Sequence, residues 1–151
     1  MSFSKAKAIA KTLRWHHVGF AFLWATTFSA LLYPSTATAE EMLAFKTLNL
    51  LCTIGAVLAL VAIVRARGRE QFAPRVAFAA GLLLAAGASL FYTGFYLDVP
   101  RLPFVLSSGA FIGLASGMFF GLWQAFFTSE GASRTAIYIP LSAVASAILC
   151  F

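Results

Sequence analysis

Charged residues are scarce in this chain, and acidic residues are the scarcest of them. Of its 151 residues 11% are charged and 61% are hydrophobic, and Asp and Glu together number only 5. Soluble globular domains carry about 25% charged residues, so a water-soluble globule of this composition would lack the polar groups to cover its surface. The high hydrophobic content also excludes an intrinsically disordered chain. The composition therefore indicates an integral membrane protein.

Residues that perform acid–base, nucleophilic or metal chemistry are equally few. Asp98 is the only Asp, the two histidines are the adjacent His16 and His17, and Cys52 and Cys150 stand alone in apolar stretches. Neighbouring helical positions point about 100° apart, so the two histidines form no natural metal-binding face, and we interpret them as interfacial anchors. Isolated thiols without a C-x-x-C pattern are typical packing residues. We predict that the chain is not an enzyme and holds no metal or cofactor.

Uncharged apolar stretches account for most of the chain. A bilayer core of about 30 Å is crossed by about 20 mostly apolar helical residues, and backbone exposed to lipid must satisfy its own hydrogen bonds. We therefore predict an all-α, polytopic membrane protein, with a basic tail over residues 1–17 and a helical membrane domain over residues 18–151. The five predicted spans are Val18–Tyr33, Leu48–Val64, Val76–Leu97, Phe104–Thr128 and Thr135–Phe151.

The basic residues lie mainly on one side of these spans. Nine of the 11 Lys and Arg residues fall in the N-terminal tail, between the second and third spans, or after the fourth span. Only Lys46 and Arg101 fall on the other side. By the positive-inside rule this distribution predicts a cytoplasmic N-terminus and a multi-pass protein of the cell's inner (cytoplasmic) membrane.

Both ends of the chain leave alternatives open. The basic residues before Val18, the apolar run after it and Ala37-Thr38-Ala39 also have the form of a secretory signal, which would make Glu40 the first mature residue. We favour an uncleaved first helix. At the other end, the last run stops at Phe151 without a polar anchoring residue. We expect a truncated chain whose parent continues into further helices or a soluble domain; the alternative is a short fifth helix.

The most regular local pattern lies in the fourth span. Gly109, Gly113, Gly117 and Gly121 recur every four residues, which predicts a helix face that another backbone approaches closely. The third span offers small residues at the same spacing, namely Ala77, Gly81, Ala85 and Ser89, continued by Thr93. We predict that the third and fourth spans pack along these two rows. The alternatives for the glycine row are homodimerisation and a gliding surface in a transporter.

The polar residues inside the predicted spans are all uncharged. No span contains Asp, Glu, Lys, Arg or His, the residues that mark proton and ion pathways in membranes. Most Ser and Thr side chains in helices bond back to their own backbone. Asn49 and Gln124 are therefore the better candidates for an interhelical hydrogen bond or a ligand contact.

A cluster of arginines follows the second span. It consists of Arg65, Arg67, Arg69 and Arg75. Each basic residue near an anionic membrane surface contributes about 1 kcal/mol of attraction. Since no helix-turn-helix or zinc-finger pattern accompanies the cluster, we interpret it as a topology signal and a lipid contact. We predict no direct nucleic-acid binding by this chain.

Two of these motifs resemble those of known families. The turn Arg65-Ala66-Arg67-Gly68-Arg69 resembles the basic turn in the first half of a major facilitator transporter, although it lacks that family's Asp. The run GLASGMFFGLWQ from Gly113 to Gln124, followed by a loop to Arg134 and another apolar helix, resembles the N-terminal membrane region of bacterial LuxR-type regulators with a major-facilitator-like membrane domain. The second resemblance implies a sensory membrane region. The family's C-terminal DNA-binding helix-turn-helix has no counterpart in this sequence.

The leading hypothesis is therefore a non-enzymatic membrane domain that senses a small ligand or the state of the membrane. A transporter or transporter-half of major-facilitator type is one alternative, and a small structural membrane protein is another. The expected partners are the lipid bilayer and either a second copy of the chain or further helices of a parent chain.

Overall fold

The computed structural model describes residues 37–67, 73–97 and 100–130, together with the single helical residues Ala25 and Val144. These ranges contain three helices and no strand: α1 is Ala39–Arg67, α2 is Ala73–Tyr96 and α3 is Arg101–Glu130. Apart from Ala25 and Val144, the predicted spans Val18–Tyr33 and Thr135–Phe151 lie outside the described residues. Pro34–Phe126 form one compact unit, and all the contacts between helices reported below lie within it.

All three helices are long and apolar enough to cross a membrane. Their spanning segments are Ala39–Ala66, Pro74–Tyr96 and Arg101–Phe126. A rise of 1.5 Å per residue makes even the shortest of these segments about 34 Å long, which exceeds a hydrocarbon core of about 30 Å. The prediction of an all-helical chain with membrane-spanning segments is therefore confirmed for these three helices by their length and composition.

Helix α1 begins nine residues before the uncharged span predicted from the sequence, because its first turns contain the charged residues Glu40, Glu41 and Lys46 and start at a cap. The backbone N–H of Glu41 donates to Thr38 Oγ1 at 3.2 Å, and the backbone N–H of Thr38 donates to Glu41 Oε2 at 2.9 Å. This reciprocal pair is a capping box, which satisfies two N–H groups that a helix start otherwise leaves unbonded. Glu40 and Glu41 also carry the negative charge that a helix N-terminus favours.

Helix α3 begins directly after Pro100 and has Pro103 within its first turn. Proline is well tolerated there, because the N–H groups of a first turn have no partner inside the helix. At the end of α2, the backbone N–H of Leu97 donates to the carbonyl oxygen of Thr93 at 3.0 Å. Only residues 97–100 separate α2 from α3, so the chain reverses direction sharply between them.

The contacts show the direction of each helix. From Gly109 to Gly121 along α3, the nearest residues of α1 advance from Phe45 to Leu60, so α1 and α3 run parallel. In α2 the order is reversed, since Gly94 contacts Phe104 and Gly87 contacts Ile112. The three helices therefore form an up-down-up arrangement in which α3 contacts both of the others.

Helix α3 supplies most of the core. In the apolar 18-residue core of its spanning segment 44% of the residues are buried, compared with 17% in that of α2 and 6% in that of α1. Its outer neighbours instead expose large apolar side chains, such as Leu50, Leu58 and Phe78, as helices facing lipid do. The buried apolar residues of this unit are Phe45, Ala56, Ala80, Phe91, Val105, Ile112 and Ala115.

Candidate functional site

The four-residue glycine row of α3 lies against α1, and we call this contact the glycine seam. A Cβ atom added at Gly113 would collide with the carbonyl oxygen of Asn49 and lie 2.9 Å from Cys52 Cβ. At Gly117 the added atom would lie 2.5 Å from the carbonyl oxygen of Thr53. Real Cβ atoms do not approach other atoms so closely, so the two backbones meet here because the residues are glycines.

The backbones of α1 and α3 are less closely packed at the two ends of the glycine seam than at its centre. At Gly109 a Cβ atom would lie 2.9 Å from the carbonyl oxygen of Phe45. At Gly121 it would meet the Cδ2 atom of Leu60, the far end of a flexible side chain. The closest approach of backbone to backbone is therefore at Gly113 and Gly117, in the middle of both helices.

Hydroxyl groups bond α3 to both of its neighbours. Thr53 Oγ1 on α1 lies 2.8 Å from the Asn49 carbonyl oxygen and 3.1 Å from the Gly113 carbonyl oxygen, so its single proton is shared between the two helices. Ser108 is fully buried, and its Oγ donates to the carbonyl oxygen of Gly87 on α2 at 2.8 Å. The acceptors of the two interhelical bonds are the carbonyl oxygens of Gly113 and Gly87, and these residues have no side chain to shield them.

Ser116 differs from these two residues. Its side chain is 4% exposed, and its Oγ atom is the one buried side-chain oxygen or nitrogen in the described ranges that has no hydrogen-bond partner. A serine within a helix can bond to the carbonyl oxygen four residues earlier, so a rotation of this side chain could satisfy the hydroxyl locally. Ser116 therefore defines no binding site by itself.

The sequence pattern predicts the third span as the partner of the glycine row, whereas the structure places α1 there. The predicted partner row on α2 points elsewhere: Gly81, Ala85 and Ser89 are exposed and Ala77 is half-buried. A Cβ atom at Gly81 would meet no described atom within 4 Å. The reason is rotational, because the residues of α2 that face α3 lie on nearly the opposite side of that helix.

Helix α2 packs on α3 through a second set of small residues, which do not belong to the row with four-residue spacing. A Cβ atom at Gly87 would lie 2.7 Å from Ile112 Cγ1, and one at Gly94 would lie 2.8 Å from Phe104 Cβ. Ala80, Gly87 and Gly94 are all buried and recur every seven residues. A seven-residue repeat is the spacing of helices that pack with a small left-handed crossing, so a search for that period would have found this face.

An aromatic cluster joins the helices at the end of the unit where α1 begins. The ring of Phe91 lies 5.3 Å from that of Phe45 and 4.9 Å from that of Phe95, measured between centroids. The Arg101 guanidinium lies over the Phe95 ring at 5.8 Å, within cation–π range. The exposed Tyr92 and Tyr96 stack beside the cluster at 6.2 Å. Aromatic and basic side chains of this kind are typical of the membrane–water interface.

The two amide side chains singled out from the sequence occupy different surroundings. Asn49 is half-buried on α1, and its carbonyl oxygen lies in the glycine seam beside Gly113. Gln124 is exposed on the last third of α3. The structure therefore does not bring the two amides together as one site.

The arginine cluster lies at the opposite end of the unit from the aromatic cluster. Arg65 in the last turns of α1 and Arg75 in the first turn of α2 are both exposed. Arg69 lies outside the described residues, and the side chain of Arg67 is not described. Helix α1 therefore carries acidic residues at its start and basic residues at its end.

Of the histidines and cysteines of the chain, Cys52 lies within the described ranges. Cys52 is a half-buried free thiol beside Gly113. His16, His17 and Cys150 lie outside the described residues. Across the described ranges, no three His, Cys, Asp or Glu residues are placed to hold a metal ion.

A shallow apolar depression of about 470 Å³ lies along the first half of α1, beside Leu106 of α3. Its lining residues are Glu40, Leu43, Ala44, Thr47, Leu48, Leu51 and Leu106. With Glu40 as its one charged residue, it offers a surface for hydrocarbon rather than the several convergent polar groups of a small-molecule site.

Comparison with known proteins gives no relative for this chain: no family model matches it, and neither the curated proteins nor the solved structures show a significant similarity.

Proposed function

We propose that this chain is a non-enzymatic, multi-pass domain of the inner (cytoplasmic) membrane, with five spans and a cytoplasmic N-terminus. The three described helices supply the second, third and fourth spans. The charge distribution supports the orientation, since α1 has Glu40 and Glu41 at its start and Arg65 and Arg67 at its end. An odd number of spans then leaves the end of the fifth helix outside.

Within this class we propose a sensory domain like the N-terminal membrane region of LuxR-type regulators, and not a transporter. The observation that carries the choice against transport is the glycine seam, which closes the centre of α1 against α3 by direct backbone contact. In the described ranges, the buried polar residues are two serines, Ser108 and Ser116. Such a packed interior has none of the intramembrane charged groups that line ion and proton pathways. The regulator type itself rests on the sequence resemblance.

Cysteine labelling tests the proposed orientation. Starting from a variant with Cys52→Ala and Cys150→Ala, single cysteines are placed by Glu40→Cys and Arg65→Cys, at opposite ends of the exposed face of α1. A membrane-impermeant maleimide added to intact spheroplasts should label Glu40→Cys at once and Arg65→Cys only after permeabilisation. The reverse pattern would contradict the proposed orientation, and labelling of both sites in intact spheroplasts would contradict the membrane-spanning role of α1.

A flux measurement separates a packed sensory domain from a proton-coupled transporter. The full chain is reconstituted in vesicles that contain a pH-sensitive dye, and a pH gradient is imposed across the membrane. A packed domain should dissipate the gradient no faster than protein-free vesicles. Faster dissipation that the Gly113→Leu variant abolishes would favour the transporter and overturn the sensory proposal.

The regulator resemblance has its own direct test. The genomic DNA is read in frame beyond codon 151. A continuation into further apolar spans and a helix-turn-helix would support the proposed regulator type. Further spans with no DNA-binding domain would favour the transporter alternative, and an immediate stop codon would contradict a truncated regulator.

A further inference from the structure

One end of the described unit concentrates positive charge at the level where membrane helices meet lipid headgroups. Arg65 and Arg75 belong to antiparallel helices joined by only five residues, 68–72, so both lie at this end. Both side chains are exposed, and neither has an ion-pair partner among the described residues. Within the described ranges, both guanidinium groups are therefore open to a ligand.

The surrounding sequence leaves this charge largely uncompensated. The segment from Arg65 to Arg75 contains four arginines and a single acidic residue, Glu70. The opposite end of the helices has the reverse balance, with Glu40, Glu41 and Asp98 outnumbering the two basic residues Lys46 and Arg101. The charge asymmetry selects an anionic ligand at the arginine end and at that end alone.

We propose that Arg65 and Arg75 form a binding site for the phosphate of an anionic phospholipid. A guanidinium presents a planar set of N–H donors that fits phosphate oxygens in pairs, which a lysine ammonium cannot do. The proposed occupant is a lipid because the two arginines lie at the ends of Ala39–Ala66 and Pro74–Tyr96, two segments long and apolar enough to cross a membrane, and lipid headgroups surround such helix ends. The site requires that α1 and α2 span the membrane, but it does not depend on the sensory role.

The test measures thermal stabilisation of the purified full chain in a neutral detergent. Dioleoylphosphatidylglycerol is titrated into one sample, dioleoylphosphatidylcholine into a second and inorganic phosphate into a third. Phosphatidylglycerol should raise the melting temperature in a saturable manner. The other two should have no effect, since one has a zwitterionic headgroup and the other lacks the acyl chains that hold it at this depth. The effect of phosphatidylglycerol should weaken at high salt, because exposed charges are screened.

Variants of the two arginines make the test specific. The single variants Arg65→Gln and Arg75→Gln should each weaken the apparent affinity for phosphatidylglycerol about 5-fold, and the double variant about 30-fold, as about 1 kcal/mol per basic residue predicts. Lys46→Gln is the matched control, because it removes one exposed positive charge from α1 at the opposite end. It should leave the affinity unchanged. Far-UV circular dichroism checks that every variant keeps its helical content.

Three outcomes would overturn the proposal. One is equal stabilisation by phosphatidylglycerol and phosphatidylcholine, and a second is an equal loss of affinity in Lys46→Gln and in the arginine variants. Stabilisation by inorganic phosphate alone would show a general anion site and not a lipid site. None of these outcomes bears on the flux measurement, so failure of the lipid site and failure of the sensory function can be told apart.

Discussion

Substituting Gly113 by alanine inserts one methyl group into the tightest part of the glycine seam. The new Cβ atom would collide with the carbonyl oxygen of Asn49 and lie 2.9 Å from Cys52 Cβ. Neither atom is the end of a flexible side chain, so no rotation relieves the collision, and α1 must move away from α3. Separation of the helices also stretches the hydrogen bond from Thr53 Oγ1 to the Gly113 carbonyl oxygen, which is already 3.1 Å long.

The magnitude follows from two opposing effects. Overpacking a well-packed interior by one methyl group costs about 1–3 kcal/mol. Alanine in place of glycine stabilises a helix by about 1 kcal/mol when the new side chain meets nothing. Gly81 provides this second case within the same protein, because a Cβ atom there meets no described atom within 4 Å. The gain in helix propensity is common to both variants, so we expect Gly113→Ala to be about 1–3 kcal/mol less stable than Gly81→Ala.

The assay is unfolding of the purified chain by increasing mole fraction of sodium dodecyl sulfate in mild-detergent micelles, followed by tryptophan fluorescence. Gly121→Ala serves as an intermediate control, since its Cβ atom meets only the movable end of Leu60. We expect Gly81→Ala to be the most stable of the three variants, Gly121→Ala to be intermediate and Gly113→Ala to be the least stable. The close-contact explanation is refuted if Gly113→Ala is as stable as Gly81→Ala.

Three further substitutions test other contacts. Ser108→Ala should cost about 1 kcal/mol in the same unfolding assay because it removes a buried hydrogen bond, whereas Ser116→Ala should be neutral or slightly stabilising; equal effects would contradict the assignment of partners. Thr38→Ala should destabilise the start of α1 by about 1 kcal/mol, seen as faster amide hydrogen exchange over its first turn, and unchanged exchange would exclude a working capping box. Phe91→Ala should cost about 3–5 kcal/mol of unfolding free energy because it empties the centre of the aromatic cluster, and a loss below 1 kcal/mol would show that this cluster is solvated.

The sequence by itself predicts an all-helical chain with membrane-spanning segments and locates the three described helices. Apolar runs of this length have one stable conformation in a membrane, because a helix is the structure that satisfies their backbone hydrogen bonds locally. Hydropathy by itself, however, locates only the uncharged part of each helix. It does not predict the first turns of α1, which contain Glu40, Glu41 and Lys46 and start at the capping box of Thr38 and Glu41.

The choice of packing partners was decided by the tertiary structure. The row of glycines indicates a face of α3 that another backbone can approach closely, and this face can be recognised from the sequence of α3 by itself. Which helix approaches depends on how the faces of α1 and α2 are rotated about α3, and several rows of small residues in the chain are compatible with the same spacing. The structure places Asn49 and Thr53 of α1 against the glycines and turns Gly81 of α2 away. Periodicity within one helix thus predicts a contact surface, whereas the identity of its partner is a property of the assembled bundle.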